Sequence, residues 1–483
     1  MRPACRRCVT TGRTCDGYGV WGPGDGGKRL MSTQAPAISY NHTRAAVSGL
    51  PDSDKRHYEW FVHRTIYKLV GIFDSPFWET LILQMSSSEP AVLHAVLTVS
   101  SVHKSETANI QLSEGAPAVA GMQDYCALRH YNRSIGLLQG HLSSDNPTST
   151  RIALVCCLLF VSLEYLQKRY ETGYLHLSNG VRLLELIAPG SSCKGDSDAT
   201  GGDKSTDLAT EWLADAVWRL YIQARMLKSS PSRGVPKEAP GLGDLSRAPN
   251  SFQSLNQARH ELERLLSTAY SLQERGHRYG LEDDLPNAFE LLIVQPRLRN
   301  DLATWLQSFR EFKVKNRASL STRERLAYRL LLVYQTMAYI ITETSLTTDN
   351  ECVFDSYENH FTSITSSSAK ILFEAIPVVL ADVSNGACQH SSSYVADMGL
   401  VPPLYYCALK CRMPYIRRKA VHILSQDLHQ EGIWHAPLAA KIASEITRLE
   451  EVGFYDDLTD GPTSRLRVLR NQCRCQETAE FVT

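Results

Sequence analysis

Apolar residues recur at steps of three and four positions through most of the chain, a spacing that predicts amphipathic helices. The clearest example follows Ser149, where six apolar residues share one helix face: Ile152, Val155, Cys156, Leu159, Leu163 and Leu166. A face of this width is normally buried against neighbouring helices. Helical patterns outnumber any plausible strand, and no clean repeat of roughly 20 to 50 residues is present. The sequence therefore predicts an all-α fold that is not a regular solenoid.

Residues that start or interrupt helices divide the chain into a series of predicted helices and loops. From Asp54 onward, a first set of residues falls at helical steps: His57, Trp60, Phe61, Arg64, Tyr67 and Lys68. Ser75-Pro76 predicts the cap and first turn of the next helix. Further predicted helices cover residues 90–104, 124–142, 149–167, 170–187, 208–228, 252–275, 297–315, 322–344, 356–376, 403–411, 416–430 and 438–451. Two stretches rich in Gly, Pro, Ser or Asp, 189–205 and 229–249, predict exposed loops.

Composition and charge narrow the class of protein. The chain has 483 residues and is 43% hydrophobic and 21% charged, which is typical of a folded globular protein. Lys plus Arg equals Asp plus Glu, at 51 each, so no global field attracts nucleic acid or an acidic membrane. Residues 1–31 differ, with six basic side chains against two acidic ones. Any DNA binding is therefore expected to be local.

Neither a secretory signal nor a membrane span is expected. Met1 is followed by a polar stretch rich in Cys and Gly, without the apolar segment of a signal peptide, which favours an intracellular protein. The longest apolar run, residues 152–163, is 12 residues long. A helix that spans a bilayer needs roughly 20 apolar residues, so this run predicts a buried helix instead.

The cysteines fall into two groups. Of the 13 cysteines, ten are scattered along the chain, and Cys156-Cys157, Cys407 and Cys411 lie in apolar helical segments. In a reducing compartment such residues behave as small hydrophobes and not as disulfide partners. The other three are grouped near the start of the chain and need a different explanation.

Cys5, Cys8 and Cys15 have the spacing C-x2-C-x6-C, which suits a metal site. A gap of two residues lets two thiolates hold one ion from a tight turn, and Gly12 allows the bend that returns the chain to the third cysteine. Neighbouring arginines would lower the thiol pKa values and favour the thiolate form. Three cysteines in a short basic segment could also arise by chance, and the order of the surrounding residues decides between the two interpretations.

That order, with Pro3-Ala4 before Cys5, Gly12 before Cys15 and Gly17-Tyr18 after it, resembles the second half of the fungal binuclear zinc cluster. In that family six cysteines hold two zinc ions through two shared sulfurs. The resemblance implies that zinc is the cofactor, that Cys5, Cys8 and Cys15 are metal ligands, and that the protein acts on DNA in the nucleus. The neighbouring basic residues are candidates for contacts with the DNA backbone: Arg6, Arg7 and Arg13.

The first half of the family cluster is missing. That half repeats C-x2-C-x6-C with several basic residues, and its short helix enters the major groove. Here the residues between Cys8 and Cys15 contain a single basic residue, and the next cysteine is Cys126. Three thiolates cannot hold two zinc ions in closed tetrahedral sites, and even one ion needs a fourth ligand from water, His42 or another chain. We expect at most one weakly bound zinc ion per chain and no DNA binding by the family mechanism in the chain as it stands.

Two explanations fit the half cluster. Met1 could be an internal methionine of a longer product, or the gene could have degenerated, and the close match of the surviving half favours the first. A transcript that encodes another C-x2-C-x6-C with Lys and Arg upstream of Met1 would support it. Transcripts without such a segment would favour a protein that does not bind DNA.

The remainder of the chain resembles the fungal-specific transcription factor regulatory domain through segments that occur in the family's order. They are residues 60–61, 77–78, 93–97, 103, 130–135, 173–180, 183–184, 402–406, 411–412, 416–420 and 431–434. The resemblance implies a large, irregular helical regulatory domain over 53–455. A partial zinc-cluster head (1–31) and a linker (32–52) precede it, and a basic and polar tail (456–483) follows. The aromatic and leucine residues in these segments are expected to form the core, so no effector-binding residue is assigned.

The resemblance implies a sequence-specific regulator of the RNA polymerase II type, with zinc-dependent DNA binding through the cysteine cluster and a helical regulatory or effector domain. No sustained heptad occurs within residues 22–53, so the sequence does not decide whether the protein acts alone, as a homodimer or with a related regulator. The alternative is a helical regulatory or ligand-sensing interaction protein that has lost DNA binding because the cluster is incomplete.

Enzymatic motifs are weak or absent. Ser367 and Lys370 fit S-x-x-K, but the companion motifs of serine acylases are missing and the segment is a serine-rich helix. No H-E-x-x-H motif, Walker loop or G-x-S-x-G motif occurs. The spacing of His422, His429 and His435 favours surface or packing roles over a metal site. The sequence therefore predicts a protein that is not an enzyme.

Overall fold

The structure is a computed structural model that describes ten stretches of the chain. They are residues 49–112, 120–144, 146–187, 204–227, 251–279, 285–317, 320–347, 350–384, 394–426 and 430–451. The predicted head (1–31), nearly all of the linker (32–52), the predicted loop over 229–249 and the tail (456–483) lie outside these residues.

The described residues are almost entirely helical, which confirms the predicted all-α fold. The first helices are interrupted by π-helical turns: α1 (Asp52–Trp60), a π turn (Phe61–Thr65), α2 (Ile66–Val70), a second π turn (Phe77–Leu81) and α3 (Ile82–Ser88). Longer helices follow: α4 (Pro90–Leu112), α5 (Ala120–Leu142), α6 (Pro147–Leu166), α7 (Tyr170–Ile187), α8 (Lys204–Leu227), α9 (Leu255–Tyr279), α10 (Leu285–Asn316) and α11 (Thr322–Thr344).

The last part of the body contains shorter helices and a small sheet. A 3-10 turn (Glu351–Tyr357) leads into α12 (Glu358–Ser384), and the remaining elements are β1 (Tyr394–Val395), α13 (Val401–Lys410), α14 (Pro414–Gln426), β2 (Gln430–Glu431), β3 (Trp434–His435) and α15 (Ala436–Glu451). The strand order is β1-β2-β3. Tyr394 pairs with Gln430 in the parallel β1–β2 ladder, and Gln430 pairs with His435 in the antiparallel β2–β3 ladder. The hydrophobic pattern does not predict these strands, since two residues cannot show a period.

Helix α6 lies at the centre of the core. Its six predicted face residues are all buried, and burial extends around the whole helix from Ile152 to Leu166. Helix α7 packs closely on it, because a Cβ added at Gly173 would come within 2.4 Å of the Tyr165 ring and one at Gly180 within 3.2 Å of the Cys157 sulfur. Among the described helices, α6 alone has the length and hydropathy of a membrane span, and 89% of its apolar window is buried inside the body. It has the character of a core helix.

Helix α10 starts earlier than predicted and passes through a proline. The predicted start was residue 297, but the helix begins at Leu285 and contains Pro296. Leu291 and Leu298, on either side of the proline, are both buried in the core. Gln295 also donates from Nε2 to the carbonyl oxygen of Thr342 at 2.8 Å, which fixes this turn against α11. Packing on both sides therefore outweighs the roughly 3 kcal/mol that an interior proline costs.

Two predictions for the first helices need correction. Ser75 makes no side-chain cap; its backbone N–H instead donates to Oε2 of Glu79 at 2.9 Å, so the cap comes from the glutamate. In the predicted set after Asp54, Phe61 is buried but Tyr67 is 74% exposed. The π turn over Phe61–Thr65 adds a residue to one turn, and the buried face continues instead through Ile66 and Leu69.

Four of the six described cysteines agree with the prediction of small core residues. None of the six forms a disulfide bond, and Cys156, Cys157, Cys407 and Cys411 are buried. Burial raises the pKa of Cys156 and of Cys157 to about 12, and that of Cys411 to about 11. These thiols are protonated and unreactive at neutral pH, so they act as small core residues.

Candidate functional site

A buried arginine forms the centre of the main polar site in the described body. Arg259, on α9, is 1% exposed. Its Nη1 donates to Oδ2 of Asp397 at 2.6 Å, its Nη2 donates to the other oxygen of that carboxylate, and its Nε donates to Oε1 of Glu263 at 2.6 Å. The guanidinium also lies over the Phe73 ring, with Cζ 4.1 Å from the ring centroid. Burial opposes the charge, but the two carboxylates outweigh it and raise the arginine pKa.

Further charged groups extend this site toward the surface. Glu263 lies 3.9 Å from Nε of Arg219, and Arg219 in turn lies 3.8 Å from Asp215. His260 Nδ1 is 3.0 Å from Oδ1 of Asp215, and this hydrogen bond raises the pKa of the histidine. Burial alone would raise the pKa of Asp215, but His260 and Arg219 together lower it. Each carboxylate therefore has a cationic neighbour, as a buried ion-pair network requires.

Glu431 provides a second buried charge, which caps helix α13. Its carboxylate accepts hydrogen bonds from the backbone N–H groups of Gly399 (2.9 Å), Leu400 (2.7 Å) and Val401 (3.0 Å). These donors have no partner within the helix, and the positive end of the helix dipole favours an anion there. A Cβ at Gly399 would lie 2.2 Å from the carboxylate, so only glycine permits this approach.

Two glutamines connect the small sheet to the central helices. Gln223 on α8 donates from its side-chain Nε2 to the carbonyl oxygen of Ala396 at 3.0 Å, and its backbone carbonyl oxygen accepts from the Trp434 indole at 3.1 Å. Gln430 on β2 donates to the carbonyl oxygen of Tyr165 at 2.8 Å. All of these groups are buried, so each missing bond would leave a desolvated polar atom. The sheet therefore joins α6 and α8 to the last part of the chain.

Gly432 forms the turn between β2 and β3 at a positive φ of 53°. Its N–H donates to the carbonyl oxygen of Val395 at 2.7 Å, and an added Cβ would lie 1.8 Å from Oε1 of Gln223. Any other residue here would be strained and would push the glutamine away. We call this region, comprising Arg259, Glu263, Asp397, Glu431 and Gln223 with the strands around them, the polar junction.

A small cavity adjoins the polar junction. Its volume is about 10 Å³, which is room for about one water molecule. Its lining residues are Phe73, Arg259, Leu262, Glu263, Leu266, Leu331, Tyr334 and Met398. Pockets for drug-sized ligands are roughly 300 Å³ or more, so this cavity does not hold such a molecule in the conformation described. Among the described residues, the junction therefore offers fixed charges and hydrogen bonds around a cavity of about the size of one water molecule.

The predicted site residues of the head are not among those described. Cys5, Cys8 and Cys15, together with Arg6, Arg7, Arg13 and His42, all precede residue 49. Their roles remain predictions. In the described residues one group of metal-ligating side chains comes together elsewhere, at Asp54, Cys126 and His130.

The described residues that were considered for enzymatic or metal roles lie on α12, α14 and β3. Ser367 is half-buried and Lys370 is exposed on α12. His422 is exposed, whereas His435 accepts at Nδ1 from the backbone N–H of Leu438 at 3.3 Å. His429 lies outside the described residues.

The sequence pattern does not predict the polar junction as a site, although one segment of the family resemblance lies in it. Residues 431–434 supply Glu431, Gly432 and Trp434 to the junction. Arg259 and Asp397 are 138 positions apart and belong to no local pattern. The only local signal was Arg259 and Glu263 at i and i+4, a spacing too common to indicate burial.

Comparison with known proteins supports a class of function. Residues 56–230 match the family model described as the fungal specific transcription factor domain, and this range runs from α1 to just beyond α8. The matches therefore support transcription regulation as the class of function.

Two relatives carry names of that class. The chain is 25% identical over 196 residues to the transcription regulator lscL of Purpureocillium lilacinum, which covers 38% of this chain and 45% of that protein. It is 20% identical over 547 residues to the aspercryptin biosynthesis cluster-specific transcription regulator atnN of Emericella nidulans, which covers 93% of this chain and 84% of that protein. The match to the lscL regulator thus spans less than half of its length. No solved structure matches the chain.

Proposed function

We propose that this chain is a sequence-specific regulator of RNA polymerase II transcription that acts in the nucleus. The helical body is its regulatory and effector domain, and the N-terminal cysteine cluster, where its zinc sites are complete, provides zinc-dependent DNA binding. The observation that carries the proposal is the match of residues 56–230 to the fungal specific transcription factor domain. A relative aligned over 93% of this chain is also named as a transcription regulator.

The distribution of charge supports different roles for the head and the body. The chain has no net charge, so the body provides no general attraction for DNA. The large charged groups of the polar junction are paired internally, as Arg259 is with Asp397 and Glu263. Residues 1–31, by contrast, combine six basic side chains with the three grouped cysteines. Contact with phosphates is therefore assigned to the head and regulation to the body.

The second candidate is a regulatory interaction protein that reaches genes through a related partner. It applies where Cys5, Cys8 and Cys15 act without further cysteines, because three cysteines cannot close two zinc sites. Both candidates share the body and differ in whether DNA binding depends on the cysteines of this chain.

Chromatin mapping of the tagged endogenous product tests both candidates. The proposal predicts discrete genomic sites that share a sequence, and the loss of these sites with Cys8→Ser. Cys352→Ser, a half-buried cysteine of the body, is the matched control and is expected to leave the sites unchanged. Sites that persist with Cys8→Ser would support recruitment by a partner. An absence of enriched sites in wild type would contradict both candidates.

A further inference from the structure

Three side chains with metal-binding atoms meet where helices α1 and α5 come together. Asp54 is on α1, and Cys126 and His130 are one turn apart on α5, so they share a face of that helix. One ligand atom from each of the three lies within 4.8 Å of the others. Asp54 is 4% exposed and His130 2% exposed, whereas Cys126 is half-buried. The group is thus largely enclosed and retains one side close to solvent.

The distances suit a tetrahedral ion. Oδ1 of Asp54 is 3.4 Å from Nε2 of His130. Two ligands that each lie about 2.0–2.2 Å from a tetrahedral zinc ion are separated by about 3.4 Å. The thiolate bond is longer, at about 2.3 Å, so the sulfur would lie about 3.6 Å from the other two ligand atoms. The Cys126 sulfur is within 4.8 Å of both, so the shift that completes the third position is no more than about 1 Å. Three protein ligands leave a fourth position for water.

A second histidine, His94, contacts the ring nitrogen of His130 that is not the proposed ligand atom. Nδ1 of His130 lies 2.9 Å from Nδ1 of His94 on α4, and the two rings are stacked with centroids 5.1 Å apart. When Nε2 of His130 holds a metal, its Nδ1 carries the proton and donates it to His94. Metal-ligating histidines commonly have such a partner, which fixes the tautomer and the orientation of the ring.

Arg129 currently supplies the positive charge at this place. Its Nη2 is 3.2 Å from Oδ1 of Asp54 and 3.1 Å from Nε2 of His130, between the two ligand atoms. The arginine side chain is 52% exposed, so it can turn into solvent without crossing the core. Replacement of the guanidinium by Zn²⁺, with loss of the thiol proton of Cys126 to solvent, keeps the site neutral: one carboxylate and one thiolate balance the ion.

We propose that Asp54, Cys126 and His130 form a zinc site in the helical body, separate from the cysteine head, with Arg129 as the cation that zinc displaces. The combination of nitrogen, sulfur and carboxylate ligands is one that zinc accepts and that magnesium or calcium does not. A bound ion would tie α1 to α5 and stabilise the first part of the body. The site does not depend on whether the head binds DNA.

Cobalt titration of the full chain tests the site. The cysteines of the head and of the tail are first replaced together in one variant, called the head variant (Cys5→Ser, Cys8→Ser, Cys15→Ser, Cys473→Ser, Cys475→Ser), so that any thiolate-to-cobalt charge-transfer band comes from the body. The proposal predicts that this variant develops the band with the visible spectrum of a tetrahedral ion, and that Zn²⁺ abolishes both. Adding Cys126→Ser is expected to remove the charge-transfer band, whereas adding Cys352→Ser is expected to leave it.

Arg129→Gln gives a second readout that a merely structural role would not produce. Removing the competing charge is expected to tighten zinc binding by at least about tenfold. Zinc is also expected to raise the melting temperature of the head variant and to have no such effect after Cys126→Ser. The proposal is overturned if the head variant shows no charge-transfer band even with Arg129→Gln, or if the band persists after Cys126→Ser. Circular dichroism of each variant verifies that it is folded.

Discussion

The buried ion pair of the polar junction gives the sharpest stability prediction. Asp397→Asn keeps the volume of the side chain but removes one of the two carboxylates that neutralise Arg259. The guanidinium is 1% exposed, so water cannot replace the lost partner. The side-chain amide hydrogens of the new asparagine would point either at the Arg259 guanidinium, which is itself a donor, or at other buried groups.

The size of the effect follows from the remaining contacts. Removing one partner of a buried pair costs about 3–5 kcal/mol, because the other charge stays desolvated. Glu263 still accepts from Arg259 at 2.6 Å, so the lower end, about 3 kcal/mol, applies to Asp397→Asn. Arg259→Met leaves Asp397 without its cation and Glu263 with only the more distant Arg219, at 3.9 Å, and is expected to cost about 5 kcal/mol. The double variant Arg259→Met with Asp397→Leu is expected to be more stable than Arg259→Met alone, since it leaves one carboxylate fewer.

Urea unfolding of the full chain, followed by circular dichroism and by tryptophan fluorescence, measures these differences. Repeating it in high salt is expected to leave them nearly unchanged, because buried pairs are weakly screened. Glu445→Gln is the matched control, since its partner Arg448 lies at 2.6 Å but both side chains are more than half exposed, at 57% and 62%. No measurable change is expected for it. An Asp397→Asn variant within about 0.5 kcal/mol of wild type would refute the assignment of a buried, mutually dependent charge pair.

Three further variants test the surroundings of the polar junction and the first helices. Gly432→Ala is expected to lower the free energy of unfolding in urea by about 2–4 kcal/mol, because of the positive φ and the contact with Gln223. The control Gly136→Ala, which has no other atom within 4 Å of the added Cβ, is expected to be neutral or stabilising, and equal costs for the two variants would contradict this account. Glu431→Gln is expected to lower the unfolding free energy by about 2 kcal/mol through the loss of the α13 cap, and an unchanged value would rule out the cap as a stabilising contact. Burial, with Lys68 and Arg64, lowers the pKa of His103 from 6.5 to about 3. Between these pH values the unfolded chain binds a proton that the folded chain does not. The contribution of neutral His103 to the free energy of unfolding is therefore fully present above pH 6.5 and is lost as the pH falls toward 3. Wild type is therefore expected to lose about 2 kcal/mol more than His103→Gln between pH 8 and pH 5, and parallel pH profiles would show that His103 is not the group responsible.

The sequence predicted the parts of the fold that depend on local periodicity. Helix α6 is the best case, since its apolar face was recognised from spacing alone and every member is buried. Pro296 misled the prediction for α10, because a local rule set its start and tertiary packing on both sides overrode that rule. The strands were missed for a simpler reason: each has only two residues and depends on partners elsewhere in the chain.

The polar sites could be predicted less well, because they join residues that are far apart. Trp434 and Gln223 are 211 positions apart, and Arg259 and Asp397 are 138 apart, so no local pattern connects them. The proposed zinc ligands Cys126 and His130 do share an i, i+4 spacing. Their third partner, Asp54, comes from a different helix and becomes apparent only in the folded body.

Tethering the full chain to a promoter tests the central claim most directly. The chain is fused to an unrelated DNA-binding domain, and transcription of a reporter that carries sites for that domain is compared with that of the domain alone. A regulator of transcription is expected to change the reporter several-fold in either direction, and the response is expected to fall with Asp397→Asn, which damages the body, but not with Glu445→Gln. A reporter that responds to the fusion no more than to the DNA-binding domain alone, with the fused chain folded and present in the nucleus, would contradict transcription regulation as the function of this protein.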